Sequence, residues 1–225
     1  MKVKPRVPEG GAIEDTETIS MEEYSTIMKK RLGSEYDRFA DNVINRVNPL
    51  KNSKVLEIGP GPGWAGIKLL QKRADLSLDG LEASADMIRV ANKNAQDEGL
   101  AHLVKYIKGV GEDMSTLHDH HYDLVISRDS MHHWDDPQQV FLEISRVLKE
   151  DGKLYIHDSR RDLNLAGQLI INVIGPVMAG KMLKYWKSSI AASYTPEEIR
   201  EILKRNGLND WNVEADLMDL SIQKQ

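Results

Sequence analysis

The 225 residues include no cysteine, which removes disulfides, thiolate-bound metals and thiol nucleophiles from the options and fits a reducing interior. There is no excess of positive charge either. Thirty Lys and Arg stand against 35 Asp and Glu, a formal net charge of −5, so the general attraction to phosphate that drives nucleic-acid binding is missing. A spanning segment is also lacking. Residues 163–180 carry no charge over 18 positions, but Asn164, Gln168, Asn172 and Gly175-Pro176 interrupt them with polar groups and a helix breaker. They are expected to form an apolar cap without stable membrane insertion. Met1-Lys2-Val3-Lys4-Pro5 has charges with no apolar stretch behind them, so no secretory signal is read and the cytoplasm is the expected compartment.

What is present centres on Val55-Leu56-Glu57-Ile58-Gly59-Pro60-Gly61-Pro62-Gly63. A short apolar run breaks into three glycines at alternate positions, and a helical pattern begins at Trp64, so the stretch predicts strand, tight turn, helix. Glycines let a ligand approach the main chain, and the helix start offers unpaired N–H groups and a positive dipole end. A nucleotide-like ligand suits such a turn. The chain also spells G-x-G-x-x-G through Gly61, Gly63 and Gly66, with Glu82 near the spacing of a dinucleotide fold's ribose-binding acid. Against a pyrophosphate stand the negative charge of Glu57 and the two N–H groups removed by Pro60 and Pro62.

The pattern E-x-G-x-G-x-G from Glu57 to Gly63 resembles the first motif of class I S-adenosylmethionine-dependent methyltransferases, whose ligand carries an ammonium and a sulfonium but no phosphate. Gly80-Leu81-Glu82-Ala83-Ser84-Ala85-Asp86-Met87 looks like the second motif, in which an acid holds the ribose and the helix start packs near adenine. Gly109-Val110-Gly111-Glu112-Asp113-Met114 resembles the third, with Val110 where the family often has its acid; Glu112 is then the candidate for adenine. The run Asp123 to Ile156 is similar to the small-molecule branch of the family, the UbiE and methyltransferase-11 group. The resemblance implies S-adenosyl-L-methionine as cofactor, S-adenosyl-L-homocysteine as product, and Glu57, Gly59, Gly61, Gly63, Glu82, Ala83, Met87, Gly111, Glu112, Arg128 and Tyr36 as cofactor contacts. It implies an α/β fold: a Rossmann-like, seven-stranded, mostly parallel sheet with helices on both faces.

The length allows one domain plus additions. Residues 1–50 are expected as a tail and helical leader, and 51–225 as the methyltransferase domain, with a cap inserted after the fifth strand at about 160–190. In the leader, Ser20 with Glu23 reads as a capping box for a helix to about Leu32, and Gly33-Ser34 separates it from a second helix to Val47. Its tyrosines, Tyr24 and Tyr36, either meet donor and acceptor or simply half-bury. Tyr122 to Ser127 is apolar on both faces, as a central parallel strand is, and delivers Arg128, Asp129, His132 and His133 to the edge that holds the glycine loop. Where an acceptor must lose a proton, His132 or His133 is the preferred base, with a structural role as the alternative. A helix from Pro137 is read to close at Asp151-Gly152. Tyr24, Asp129, His132 and Arg160 are the candidate acceptor contacts, Arg160 for an anionic group. His118-Asp119-His120-His121 has metal-binding residue types but poor spacing, and no metal is assigned.

The expected activity is transfer of a methyl group to an N, O or C atom of a small, partly apolar acceptor. A non-catalytic cofactor-binding subunit, an NAD(P)-dependent oxidoreductase and a methyltransferase of macromolecules stay open as alternatives. So does a homodimer contact through the cap.

Overall fold

The computed structural model describes residues 3–8 and 19–224, so most of the tail expected before residue 18 lies outside the described residues. One sheet of seven strands runs in the order β3-β2-β1-β4-β5-β7-β6. β1 (Lys54–Ile58) pairs in parallel with β2 (Ser77–Glu82) on one side and β4 (Tyr122–Arg128) on the other. β3 (Val104–Lys108) extends the first wing and β5 (Leu148–Ser159) the second, both parallel. The order therefore reverses between β1 and β4, and their carboxyl ends open a crevice at the point where ligands bind in such sheets. β7 (Asp219–Lys224) runs antiparallel between β5 and β6 (Asn212–Ala215), closing the sheet with a hairpin.

Helices cover both faces. On one, α1 (Met21–Asn42), α2 (Trp64–Lys72) and α3 (Ala85–Asp97) pack over Val55, Leu78, Leu124, Ile126 and Tyr155. On the other, α4 (Pro137–Val147) and α8 (Pro196–Arg205) bury Phe141, Ile144, Ile199 and Leu203 against Leu56, Val125 and Ile156. The starts follow the local signals: Ser20, Ser84 and Asp136 each accept the N3 amide of their helix, and Thr195 with Glu198 closes a full capping box.

Two boundaries differ from expectation. The leader is one helix through Gly33-Ser34, ending in a π turn at Val43–Val47. A helix-interior glycine costs about 1 kcal/mol relative to alanine. Burying each of Phe39, Val43 and Tyr36 against α2 and the sheet returns more, at roughly 1.5–3 kcal/mol for a large side chain. α4 ends at Val147 and not at Asp151-Gly152, because Leu148 already pairs with Tyr122 and the segment between bulges before Lys153 rejoins opposite Leu124.

The cap after β5 comprises α5 (Leu165–Leu169), a π turn (Ile170–Ile174), α6 (Gly175–Ala179), a tight turn and α7 (Leu183–Ala192). Leu163, Ile171 and Ile190 form its small core with Trp186 and Met218, while Leu165, Leu169, Val173 and Val177 stay exposed. No helix among the described residues is long and apolar enough to cross a membrane. Residues 3–8 run along the cap, where the Val7 N–H donates to Ala191 O at 2.9 Å.

Candidate active site

The glycine loop leaves β1 with Gly59, Gly61 and Gly63 at φ of 64°, 52° and 83°, the left-handed region that glycine reaches without strain. Space is as restrictive as φ. A Cβ on Gly59 would stand 2.0 Å from Ser130 Oγ, and one on Gly66 would stand 2.3 Å from Glu57 Oε2. The Gly63 N–H donates to Pro60 O at 2.9 Å, and Gly63 starts α2 with no side-chain cap. Glu82, at the end of β2, fastens the loop: Oε2 accepts from the Gly61 N–H and Oε1 from the Ser84 N–H, each at 2.9 Å. Each oxygen keeps a second lone pair for a ligand hydroxyl. Above the loop, Asn94 donates to Pro62 O and Ser25 Oγ, and Trp64 Nε1 to Ser25, so α1 is tied across the turn.

Glu57 sits beneath the loop with 1 % of its surface exposed, and its Oε2 has no hydrogen-bond partner. Burial pushes its carboxyl up to about 8; the Gly66 N–H opposes this and the Glu82 charge adds to it. The negative charge read from the sequence is therefore mostly neutralised by a proton at pH 7. A cation brought to the loop would restore it. Tyr106 on β3 was not among the sequence candidates. Its hydroxyl is buried without a partner and stands 2.3 Å from where a Cβ on Gly63 would be, and burial raises its pKa.

β4 brings the second half of the site. Ser127 Oγ donates to Ile58 O at 2.9 Å, Asp129 has a left-handed φ of 50°, and Ser130 closes on Gly59. The following turn, Met131–His133, buries His132 and exposes His133, their rings 4.1 Å apart. His132 Nδ1 lies 2.8 Å from Oδ1 of Asp158, and the His132 N–H donates to Oδ2 at 3.0 Å. Burial of Asp158 disfavours its charge, but the His132 imidazole and the amide donors outweigh that and hold its carboxyl below the usual range. Sequence reasoning missed Asp158; its one signal is an acid at the carboxyl end of a central strand. Arg6, from the amino-terminal segment, donates to His132 O, Trp134 O and Ala192 O and lies over the Tyr194 ring, joining this turn to the cap.

Other candidates have different surroundings. Arg128, with 7 % of its side chain exposed, donates to Glu35 O, lies 3.1 Å from Asp129 and covers the Tyr36 ring at 5.1 Å, anchoring α1 to β4. Tyr36 is buried, its pKa raised first by burial and then by Tyr24, which places both leader tyrosines in one electrostatic neighbourhood. Glu112 does not point freely toward the crevice: Oε1 accepts from the Asp135 and Asp136 amides, fixing the start of α4. Gly111 is buried against Val140, Met87 is buried, and Ala83 is exposed. Arg160, the candidate for an anionic group, makes a two-pronged pair with Asp162 and donates to Asp216 O. His121 contacts Lys54 and His120 contacts Leu148 O; among the described residues no three His, Asp or Glu side chains converge as metal ligands.

Residues 56–156 match the family model described as a methyltransferase domain. The ubiquinone biosynthesis O-methyltransferase of Pectobacterium carotovorum is 26% identical over 182 residues, covering 76% of this chain and 73% of that protein. An uncharacterized methyltransferase of Bacillus subtilis, YdaC, is 31% identical over 113 residues, covering 50% of this chain and 60% of that protein. Among solved structures, a Methanococcus maripaludis protein assigned to the S-adenosyl-L-methionine-dependent methyltransferases superposes with a TM-score of 0.72 at 25% identity, covering 97% of both chains. The chain thus carries a methyltransferase domain and is similar over nearly its whole length to S-adenosylmethionine-dependent methyltransferases. A methyltransferase of Aquifex aeolicus shares the fold at 18% identity, with a TM-score of 0.65 and 88% and 96% coverage.

The residues of this methyltransferase fit its cofactor. A positively charged nucleoside without phosphate suits a loop that carries two prolines, a buried carboxyl with an unsatisfied oxygen, and the Glu82 carboxylate one strand away. A pyrophosphate would meet the Glu82 carboxylate and two prolines that offer it no N–H, so the dinucleotide alternative has no support here.

Proposed function

We propose that this methyltransferase moves the methyl group of S-adenosylmethionine to a nucleophilic atom of a small, partly apolar acceptor in the crevice between the ends of β1 and β4. When bound, the cofactor supplies an electrophilic methyl on a sulfonium. The chain's residues do the rest. Gly59, Gly61 and Gly63 allow close approach to the main chain, Glu82 accepts ribose hydroxyls while fastening the loop, and Glu57 answers the ligand's positive charge by releasing its proton. α1, with Tyr24 and Tyr36, and the amino-terminal segment cover the crevice and exclude water, so that donor and acceptor meet aligned in a dry site. The relative from Pectobacterium carotovorum is by name an O-methyltransferase, which favours a hydroxyl acceptor.

The observation that carries this reading is the Glu82 carboxylate bound to the Gly61 amide with Glu57 unsatisfied below it. Titration calorimetry with S-adenosylhomocysteine, S-adenosylmethionine and NAD tests it. Heat with the first two and none with NAD is expected; heat with NAD alone would end the reading.

A further inference from the structure

We propose that the cavity on the α1 side of β5, β7 and β6 binds the ammonium group of a small amine, held between His157 and Asp219. No residue of the glycine loop takes part, so the site stands apart from the donor reading. It arises where a helix layer stops. α1 and the π turn after it cover the sheet as far as Tyr155 on β5, and no residue of β6 or β7 belongs to the apolar cluster beneath them. The strand registers set Arg128, His157, Ser221 and Glu214 in one row across β4, β5, β7 and β6, on the face where α1 covers Arg128 with the Tyr36 ring. Past Arg128 the row floors a cavity of about 240 Å3. Arg46 of the leader walls it on one side, and Asp216 and Asp219, at the turn between β6 and β7, on another.

The ligand class follows from which groups are left without partners. Nδ1 of His157 is buried with no hydrogen-bond partner, and Nε2 lies 4.0 Å from Oδ2 of Asp219, beyond hydrogen-bond length. The cation of the lining is already engaged, Arg46 with Glu214 at 2.6 Å. Burial lowers the pKa of His157, so its ring is neutral and accepts at one nitrogen; burial, then Asp129 and Asp216, push the Asp219 carboxyl up to about 7, so a positive neighbour favours its ionised form. The spacing suits one shared donor. Two bonds of about 2.9 Å that leave a tetrahedral nitrogen reach acceptors ~4.7 Å apart, so the 4.0 Å pair needs to part by only about 0.7 Å to hold an ammonium. An anion would meet Glu214, Asp216 and Asp219, and an alcohol brings no charge to Asp219. A metal ion lacks its ligands, since among the described residues no three His, Cys, Asp or Glu side chains converge.

NMR of the full chain tests this, with the His157 ring signals assigned by their loss in His157→Gln and with pH and chloride held constant. n-Butylamine, an ammonium at pH 7, is expected to move these signals in a saturable way at millimolar concentration and to leave those of His121 in place. 1-Butanol, butyrate and potassium are expected to move neither. Asp219→Asn keeps the side-chain shape and removes the charge, and is expected to weaken n-butylamine binding at least about tenfold with the circular dichroism of the chain unchanged. No saturable shift with n-butylamine in the wild-type chain overturns the site. An equal response to 1-butanol or potassium, or undiminished affinity in Asp219→Asn, overturns the ammonium assignment. Repeating the titration with S-adenosylhomocysteine present identifies the source of the amine: an unchanged affinity assigns the site to a ligand separate from methyl transfer, and a changed one to an ammonium group on the acceptor. Heat with S-adenosylhomocysteine alone is read separately, so failure here leaves the donor reading intact.

Discussion

The Gly61 N–H donates to Oε2 of Glu82 at 2.9 Å, so the residue best suited to hold a ribose already holds the loop that faces it. Loop shape and the proposed sugar recognition therefore share one carboxylate. Glu82→Gln keeps the side-chain volume but offers one accepting oxygen where two amides, Gly61 and Ser84, now bind. A hydrogen bond to a charged group contributes about 1.5–3 kcal/mol, and about 1.4 kcal/mol is a tenfold change in affinity. The variant is expected to bind S-adenosylhomocysteine roughly tenfold to a hundredfold more weakly by calorimetry. An unchanged Kd would separate Glu82 from the ligand.

Glu57 predicts a pH dependence of stability. In the folded chain its carboxyl holds a proton up to about pH 8, because burial disfavours the charge, whereas the unfolded chain releases it near 4.5. The native state binds more protons between these values. Its stabilising contribution is thus complete below about 4.5 and is lost as the pH rises through about 8, where the curve levels. The total is on the order of a few kcal/mol. Asp219, raised to about 7 first by burial and then by Asp129 and Asp216, titrates in an overlapping window, so the difference between wild type and Glu57→Gln is the informative quantity. Melting temperatures across that range should fall more steeply for wild type; parallel curves would mean that Glu57 keeps its charge.

Gly59 and Ser130 test the junction between β1 and β4. Gly59→Ala must hold a left-handed φ, at about 1–2 kcal/mol, and must also displace Ser130 Oγ. A stability loss of roughly 2–4 kcal/mol in denaturant titrations is expected. Adding Ser130→Ala removes the Oγ clash but leaves Ser130 Cβ 2.7 Å from the new methyl, so it should recover only part of the contact loss and leave the φ part. Full additivity of the two substitutions would show that they do not meet.

Much of the frame was legible because its signals are local. Alternate glycines after an apolar run locate the loop, Ser20, Ser84, Asp136-Pro137 and Thr195 locate helix starts, and the apolar run from Tyr122 identifies a strand buried on both faces. Gly33-Ser34 misled for the same reason: a break signal of about 1 kcal/mol is decisive only where no buried face opposes it. For Arg160 and Glu112 the residue type suggests ligand contacts, but their partners, Asp162 and the amides at the start of α4, come from the folded neighbourhood and could not be read from the sequence.

The sequence by itself determined the order of strands and helices, the glycine loop and the acid after β2, because each depends on residues within a few positions of one another. Tertiary structure alone decided that Glu57 is neutral under the loop, that Arg128 anchors α1, and that Asp158 grips His132 from 26 residues away. Those outcomes depend on desolvation and on directions in space. Both arise only when strands distant in the chain lie side by side.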